Sequence, residues 1–539
     1  NLGIMKKDID MVYSTSIKMV IILIIGTATG IIANHFVALF ATNFTKKNRK
    51  LLIRNLESLT VDQVNDFGVA SLVTRMGNDN NNAQRLIVAF FQMILPSPIM
   101  AVISIFMTIK LSPTLALIPL FTILVFALAI VLTLFKSLPY ILKVQKKLDR
   151  MTLVLRERFI GAKIIRAFDN SKKERDKFND VAQEYTDNYI IINKKFALLS
   201  PMAFALMSVV ITLIIFFGAM KVLNNTLEIG SITAIVEYSL TTIAALIMSS
   251  MVLVQMPKAV VSIERIEEVL NVTSEIKDKE ELKDNSYYEN ILKQNPISLT
   301  FDNVCFRYKG AEKQILKNIS FSVKAGERFA IVGVTGSGKS TIAKVLLRLN
   351  DIESGRILIN GVDALDLPLN CLRNQISYTP QKAYIFSGKI KDNFRFTNKN
   401  MTDKEMIKIA KIAQSYDFID SLPDKFDSFV AQGGINFSGG QKQRLSIARA
   451  LSKDANIYLF DDSFSALDYA TDAKLRKELK TFLKDKITII IAQRLNTIAD
   501  ADKIIVLKDS EITGMGTHQE LLESNQEYIE LAKSQGILE

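Results

Sequence analysis

The sequence predicts an α-helical transmembrane bundle joined to an α/β domain, and three observations predict it. Apolar stretches near 17–41, 87–109, 114–135, 199–220 and 231–256 fill the first half. Beyond about residue 296, short apolar runs alternate with helical patterns, the rhythm of a mainly parallel sheet with an added antiparallel layer. Between one such run, Phe329-Ala330-Ile331-Val332, and a helical pattern over Thr341–Leu349 lies the glycine-rich segment Gly333-Val334-Thr335-Gly336-Ser337-Gly338-Lys339-Ser340.

Each of the five stretches is long enough to cross about 30 Å of hydrocarbon as a helix. They lack the periodic polar face of an ordinary core helix. Lys46, Lys47, Arg49, Lys50 and Arg54 follow the first, and Lys143, Lys146, Lys147, Arg150, Arg156 and Arg158 follow the third. The opposite connections, Lys110–Pro113 and Lys221–Gly230, are short and nearly uncharged. Basic loops stay in the cytoplasm, so these sides face inward. Part of the net charge of +12 therefore lies at the inner membrane surface, where anionic lipid attracts it. It calls for no nucleic-acid partner, and the spans exclude a soluble protein acting on ribosomes or DNA.

The long basic connections 42–86 and 136–198 are helical in pattern. Leu270–Asn295 is polar and charged and reads as a connector. The expected division is therefore a transmembrane domain over 1–269, a linker over 270–295 and the α/β domain over 296–539. Cys305 and Cys371 both fall in the cytosolic half, where a disulfide is not expected, and with no histidine nearby they make no metal site.

The glycine segment fits G-x-x-x-x-G-K-[ST] at every fixed position, in the strand–loop–helix setting that the motif needs. Glycines let backbone amides turn toward phosphate oxygens, and the helix N-terminus adds positive potential. Lys339 is expected to reach the β- and γ-phosphates of ATP and Ser340 to ligate Mg²⁺. The apolar run Ile457-Tyr458-Leu459-Phe460 ends in Asp461, the expected second Mg²⁺ anchor.

Between these elements stands Phe437-Ser438-Gly439-Gly440-Gln441, followed by Lys442-Gln443-Arg444. This resembles the Leu-Ser-Gly-Gly-Gln signature of ATP-binding cassette proteins, and the whole chain resembles a half-transporter of the cassette exporters. The resemblance implies several further roles. Tyr308, in Phe306-Arg307-Tyr308, matches the aromatic that stacks on adenine. Gln381, in Tyr378-Thr379-Pro380-Gln381, matches the glutamine that senses Mg²⁺ and contacts the membrane domain. Ser465-Ala466-Leu467-Asp468 matches the loop crossing the dimer interface. Gln432-Gly433-Gly434 matches the place of the loop contacting the membrane domain, where Glu-Arg-Gly is usual. The stretch between Gln381 and Phe437 fits the family's helical subdomain. Family half-transporters have six spans, so a first span is expected ahead of Asn1.

Two positions depart from the family at the hydrolytic site. Asp462 replaces a glutamate that polarises the attacking water, and Gln493 replaces a histidine that holds the γ-phosphate. Asp462 keeps the charge but lacks one methylene, and a displacement of about 1 Å costs on the order of a hundredfold in rate. Gln493 donates a hydrogen bond but never becomes cationic. Family sites form between two subunits. The Gly333, Thr335, Gly336, Ser337, Gly338, Lys339, Ser340 and Thr341 loop would sit in a weak, ATP-holding site. Ser438, Gly439, Gly440 and Gln441 would serve a partner half-transporter that carries the missing glutamate and histidine. The pattern is similar to heterodimeric bacterial multidrug exporters, which implies export of small amphipathic compounds through the bacterial cell membrane, with the cassette in the cytoplasm. The Lys- and Asn-rich, tryptophan-free composition also points to a bacterial source. Two alternatives keep the fold, an inward transporter and a non-transporting ATP-binding regulatory subunit.

Other residues stay open. Asp66-Phe67-Gly68 and Lys163–Asp169 fall near the family's coupling helices. There Phe67 and Phe168 either plug into a cassette groove or pack within the bundle. Glu237 reads as a cation or proton site, or as a carboxylate reaching the outer interface. His35 reads as a packed residue rather than a ligand. Met207, Met248, Met251 and Met256 with Phe204, Phe216 and Phe217 read as an adaptable pocket, or as helix packing and lipid-facing surface.

Overall fold

The computed structural model describes residues 9–253, 256–279, 285–292 and 297–538. It divides into two compact units. One runs to Ser58 and resumes over Val64–Thr273; the other takes Leu59–Gln63 and continues from Ser274. The last span, expected to end at 256, and the connector, expected over 270–295, are described only in part. Residue 296, the expected domain start, lies outside the described residues.

The first unit is helical. Helix α1 (Ile9–Ser58) is followed by the short α2 (Val61–Phe67) and by α3 over Val69–Leu111. Then come α4 (Pro113–Ile160), the short α5 (Ala162–Ala167), α6 over Ser171–Leu223, α7 (Ile229–Leu253) and α8 (Met256–Asn271). Five of these, α1, α3, α4, α6 and α7, are long and apolar enough to cross a membrane. A helix satisfies its backbone internally, as hydrocarbon demands. The hydroxyls behave likewise. Thr27, Thr29, Thr108, Thr122 and Thr212 each donate to the carbonyl four residues back. Extended Ser112 separates α3 from α4, and Pro113 begins α4 where a missing N–H costs nothing.

Polar contacts gather where these helices leave the apolar zone. Helix α3 carries a π-turn at Arg75–Asp79 and another at Phe90–Ile94. Asp79, at the end of the first turn, and Asn80 beside it are buried. Ser262 of α8 donates to Asp79 Oδ1 at 2.8 Å and accepts from Asn82 Nδ2 at 3.0 Å. Asn55 Nδ2 donates to the carbonyls of Val269, at 2.6 Å, and Val272, at 3.1 Å, satisfying acceptors that the end of α8 leaves open.

Phe67 packs inside this unit, against buried Leu52, Leu72, Ile266 and Val269, with the Arg75 guanidinium 5.0 Å from its ring centroid. Of its two readings, packing within the bundle is the one observed. Phe168 is 75% exposed just past α5, beside the similarly exposed Ile164. Glu237 and His35 are exposed, and His35 lies edge-on to Phe36. Met207 packs on a small core around Phe126 and Ala203. Met248, Met256, Phe204, Phe216 and Phe217 are exposed on their helices rather than gathered into a pocket. The side chain of Met251 lies outside the described residues.

The second unit is α/β. Its first described elements are α9 (Asn285–Leu292), β1 (Ser298–Phe306), β2 (Leu316–Lys324), β3 (Arg328–Gly333) and α10 (Lys339–Leu346). Then follow β4 (Ser354–Ile359), β5 (Val362–Asp363), α11 (Leu369–Asn374) and β6 (Ile376–Thr379). A helical region follows, with a two-stranded ribbon at its base. It holds β7 (Gly388–Lys389), α12 (Ile390–Phe394), α13 (Asp403–Ile412), α14 (Tyr416–Asp420) and β8 (Phe429–Val430). The chain returns through α15 (Gly439–Leu451), β9 (Ile457–Asp461), α16 (Tyr469–Phe482) and β10 (Ile487–Ile491). It closes with β11 (Lys503–Lys508), β12 (Glu511–Gly516), α17 (His518–Ser524) and α18 (Gln526–Ser534).

Six strands form one sheet in the order β12-β11-β3-β10-β9-β6, parallel except for β12. Four form an antiparallel layer, β2-β1-β4-β5. The parallel sheet separates two cores, and its strands feed both. Ala330 and Val332 face one core, Phe329 and Ile331 the other; Tyr458 and Phe460 are likewise opposed to Ile457 and Leu459. Burial on both faces is why these strands read as unbroken apolar runs.

The polar stretch expected to be a connector is partly built into this unit. Tyr288 and Leu292 of α9 are buried in the second core, and the Ile291 carbonyl accepts from Asn360 Nδ2 at 3.2 Å. The Lys277 carbonyl accepts from Arg348, and Asp278 Oδ1 accepts from the Leu369 amide. Its apolar residues Ile276, Tyr288 and Leu292 are buried against the domain, while Lys277, Asp278, Glu289 and Asn290 stay exposed. Leu59–Gln63 also belongs here, with Asp62 Oδ2 accepting from Asn350 Nδ2 at 2.7 Å.

Candidate nucleotide site

The loop between β3 and α10 has glycines because the backbone leaves no alternative. A Cβ on Gly333 would stand 2.2 Å from the Leu507 carbonyl of neighbouring β11. Gly338 has φ +100°, and a Cβ there would stand 2.6 Å from the Ile315 carbonyl. The loop thus turns sharply off the sheet and enters α10 with its first amides free.

Inside the loop, Ser337 Oγ is buried without a hydrogen-bond partner. Lys339 Nζ donates to the carbonyls of Gly333 and Val334, at 2.7 Å each. Burial lowers the pKa of this lysine, while the charges of Asp462 and Asp461 work to raise it. An unpaired buried hydroxyl, a buried lysine and a helix N-terminus all ask for an anion, and a nucleotide phosphate satisfies each.

Ser340 Oγ donates to Asp461 Oδ1 at 2.9 Å, joining the first turn of α10 to the end of β9. The other oxygen of Asp461 accepts from Tyr378 Oη at 3.3 Å. Burial raises the Asp461 pKa above its ordinary value, and these two hydrogen bonds oppose the rise. Burial also pushes the Tyr378 phenol up, so it stays a donor. A hydroxyl and a carboxylate at the edge of a phosphate site suit Mg²⁺, which takes few protein ligands beside phosphate oxygens. Among the described residues no cluster of three histidine, cysteine or acidic side chains offers a fuller protein cage.

Asp462 follows with φ +45°, its amide donating to the Ile491 carbonyl at 2.7 Å. Its carboxylate accepts from Gln381 Nε2 at 3.1 Å. Gln493 is exposed just past β10, and its carbonyl accepts from Gln535 Nε2 at 2.8 Å. Gln535 Oε1 also accepts from the Leu495 amide at 2.9 Å, so the C-terminal segment holds the expected switch at two points. Nothing in the sequence signalled Gln535, which lies 42 positions from its partner.

Tyr308 lies over the same helix. Its hydroxyl is 3.4 Å from Thr341 Oγ1, and Lys344 Nζ donates to it at 3.0 Å while sitting 5.1 Å from the ring centroid. Lys344 was missed by motif reasoning; its signal is the i+3 spacing from Thr341, which puts both on one face of α10.

The signature segment is a helix start of a different kind. Ser438 caps α15: its Oγ accepts from the Gln441 amide at 3.3 Å, and its own amide donates to Gln441 Oε1 at 2.9 Å. Ser438 and Gly439 are exposed, and a Cβ on Gly440 would stand 3.4 Å from the Ala466 carbonyl. Ser465 Oγ donates back to the Asp462 carbonyl at 3.0 Å, and Asp468 caps α16 through the Thr471 amide at 2.9 Å. Gln432–Gly434 forms a single tight turn, with Gly433 and Gly434 at φ +66° and +64°. Among the described residues no hydrogen bond joins Ser438–Gln441 to the phosphate loop. The phosphate loop and the exposed, capped start of α15 are therefore separate elements of this chain.

Comparison with known proteins matches the two units to two families. The family described as ABC transporter matches residues 316–465, and the ABC transporter transmembrane region matches residues 2–246. The chain is 32% identical over 533 residues to the ABC transporter ATP-binding protein YfiB of Bacillus subtilis, covering 99% of this chain and 91% of that protein. It is 33% identical over 387 residues to an ATP-dependent lipid A-core flippase of Desulfotalea psychrophila, covering 72% of this chain and 66% of the flippase. A solved structure of a bacterial Atm1-family ABC exporter with ATP bound superposes with a TM-score of 0.79 at 25% identity, covering 92% of this chain and 86% of that one.

Proposed function

We propose that this chain, which belongs to the ABC transporters, is one of two unlike halves of an ATP-driven exporter of amphipathic compounds. It is a multi-pass membrane protein with an exporter-type helical domain and a cytoplasmic cassette. In this reading it lies in a bacterial cell membrane. Its own phosphate loop holds ATP in a weakly hydrolytic site, and its signature helix completes the partner's site.

The observation that carries the reading is the pair Gln381–Asp462. A carboxylate one methylene short, tied to an amide at 3.1 Å, is poorly set to draw a proton from water. Lys339, Ser337 and the first amides of α10 hold phosphate regardless. Tyr308 offers a ring for the base. Ser340, Asp461 and Gln381 are the residues that would hold Mg²⁺, whose chemistry there is to neutralise phosphate charge and orient the leaving group. ATP bound between two cassettes then favours their closed pairing, and turnover at the partner's site resets it.

The test is copurification of the full-length protein from its native membranes in mild detergent. A distinct half-transporter with glutamate and histidine at the two positions is the expected companion. Recovery of this chain alone, with brisk ATP turnover, would sink the asymmetric reading and leave a homodimer in which Asp462 and Gln493 suffice.

A further inference from the structure

Arg85 on α3 and Lys258 on α8 line one cavity of about 240 Å³ within the first unit. Asn82, Leu86, Met93 and Val252 supply much of the remaining wall. The neighbouring cations of this region are committed. Arg49 donates to the Met76 carbonyl and Asn81, and Arg75 donates to the Arg265 carbonyl and pairs with Glu268 at 2.8 Å. Among the described residues, Arg85 and Lys258 make neither a hydrogen bond nor an ion pair, and both are exposed. Asn82 is held in place through Ser262 and buried Asp79.

Two cations from different helices, both exposed and without a protein partner among the described residues, border one partly apolar cavity, so an anion entering it is attracted by both. Arg85 lies two residues before the apolar run 87–109, on the side that the basic loops place in the cytoplasm. The cavity is smaller than the roughly 300–1,000 Å³ of a whole drug-sized site. It suits a head group whose chain leaves along Leu86, Met93 and Val252, and methionine adapts to varied chains.

We propose that this cavity binds the anionic head, phosphate or carboxylate, of an amphiphile at the inner leaflet. Bilayer lipid and transported cargo share that chemistry. The inference refines the exporter reading by giving the ligand a charge, but does not depend on asymmetric hydrolysis.

The test uses the complete transporter in phosphatidylcholine nanodiscs, with a fluorophore-tagged dodecyl phosphate as probe and dodecyltrimethylammonium carrying the same fluorophore as its opposite. Arg85→Gln and Lys258→Gln should each weaken phosphate binding about fivefold, the worth of one basic residue near an anionic surface, and together more than either alone. Arg85→Lys should restore most of the affinity and shows that the fold is intact. Displacement of the probe by phosphatidylglycerol, with ATP turnover unmoved, identifies lipid as the occupant. Probe-stimulated turnover that the double variant loses identifies cargo. Equal binding of the cationic probe, or undiminished binding by the double variant, overturns the site. Either result with partner recovery and ATP turnover intact would leave the exporter reading standing.

Discussion

Gln381 Nε2 and Asp462 Oδ2 lie 3.1 Å apart, so the residue expected to sense the metal and the residue that replaces the family's water-polarising glutamate occupy one another. Two loop groups in one hydrogen bond form a latch across the mouth of the phosphate site. Lengthening the acid changes the latch as well as the reach toward water.

Asp462→Glu combined with Gln493→His should therefore raise turnover at this site by roughly tenfold to a hundredfold, the scale attached to a displacement of about 1 Å. The measurement is steady-state ATP hydrolysis by the full complex with the partner's own phosphate-loop lysine replaced. No gain would mean that reach does not limit this site.

Lys339→Ala should weaken ATP binding here yet leave partial turnover in the complex. Ser438→Ala should cut turnover more deeply, because that serine is assigned to the partner's site. It also removes the cap of α15, at about 1 kcal/mol, so thermal unfolding is followed in parallel. A milder loss than that of Lys339→Ala would contradict cross-site assignment.

Asp461 should show in the pH dependence. Its folded pKa lies above the ordinary 3.8, so the folded cassette holds the proton more tightly than the unfolded chain does. The buried charge therefore costs stability at every pH above the folded pKa, and the cost fades as pH falls through it. Asp461→Asn should raise the Tm of the nucleotide-free protein at pH 7 while removing Mg²⁺-dependent nucleotide binding. The gain in Tm should vanish once the pH falls below the ordinary carboxylate value of 3.8. A gain that persists there would assign the effect to packing instead.

Gln535→Ala removes two hydrogen bonds to the switch segment, at Gln493 O and Leu495 N. One of these bonds is exposed and the other part-buried, and together they contribute about 1–2 kcal/mol. Hydrogen exchange at 493–497 should rise with little change in global Tm. Unchanged exchange would show that the segment is held by its own turn.

Phe67→Ala should lower the Tm of the purified protein, a loss of about 2–3 kcal/mol for a partly buried ring. Phe168→Ala, at a position 75% exposed, should stay within about 0.5 kcal/mol. Equal effects would contradict the packing of Phe67 around Leu52 and Val269.

Much of this protein is legible from local pattern. Lipid imposes length and apolarity on every span, so α1, α3, α4, α6 and α7 announce themselves. The Gly333–Ser340 loop is equally explicit, because close approach to Leu507 O and Ile315 O admits only glycine. Strand burial on both faces wrote β3, β9 and β10 as unbroken apolar runs. Asp462 and Gln493 were visible as departures only because the residues around them matched.

Tertiary structure decided what depends on distant partners. Whether Phe67 docks outward or packs inward turned on Arg75 and α8, which no local pattern joins to it. The polar 270–295 stretch reads as a connector, but Arg348, Leu369 and Asn360 hydrogen-bond to its Lys277, Asp278 and Ile291. Lys344 over Tyr308, Gln535 on the switch, and the placing of Arg85 and Lys258 on one cavity are of the same kind. The sequence by itself determined the spans, the sheet and the phosphate loop, since each follows from steric or solvation demands on neighbouring residues. The latch between Gln381 and Asp462 and the cationic cavity came only from the fold, because hydrogen bonds and charges act through space between residues that the chain keeps far apart.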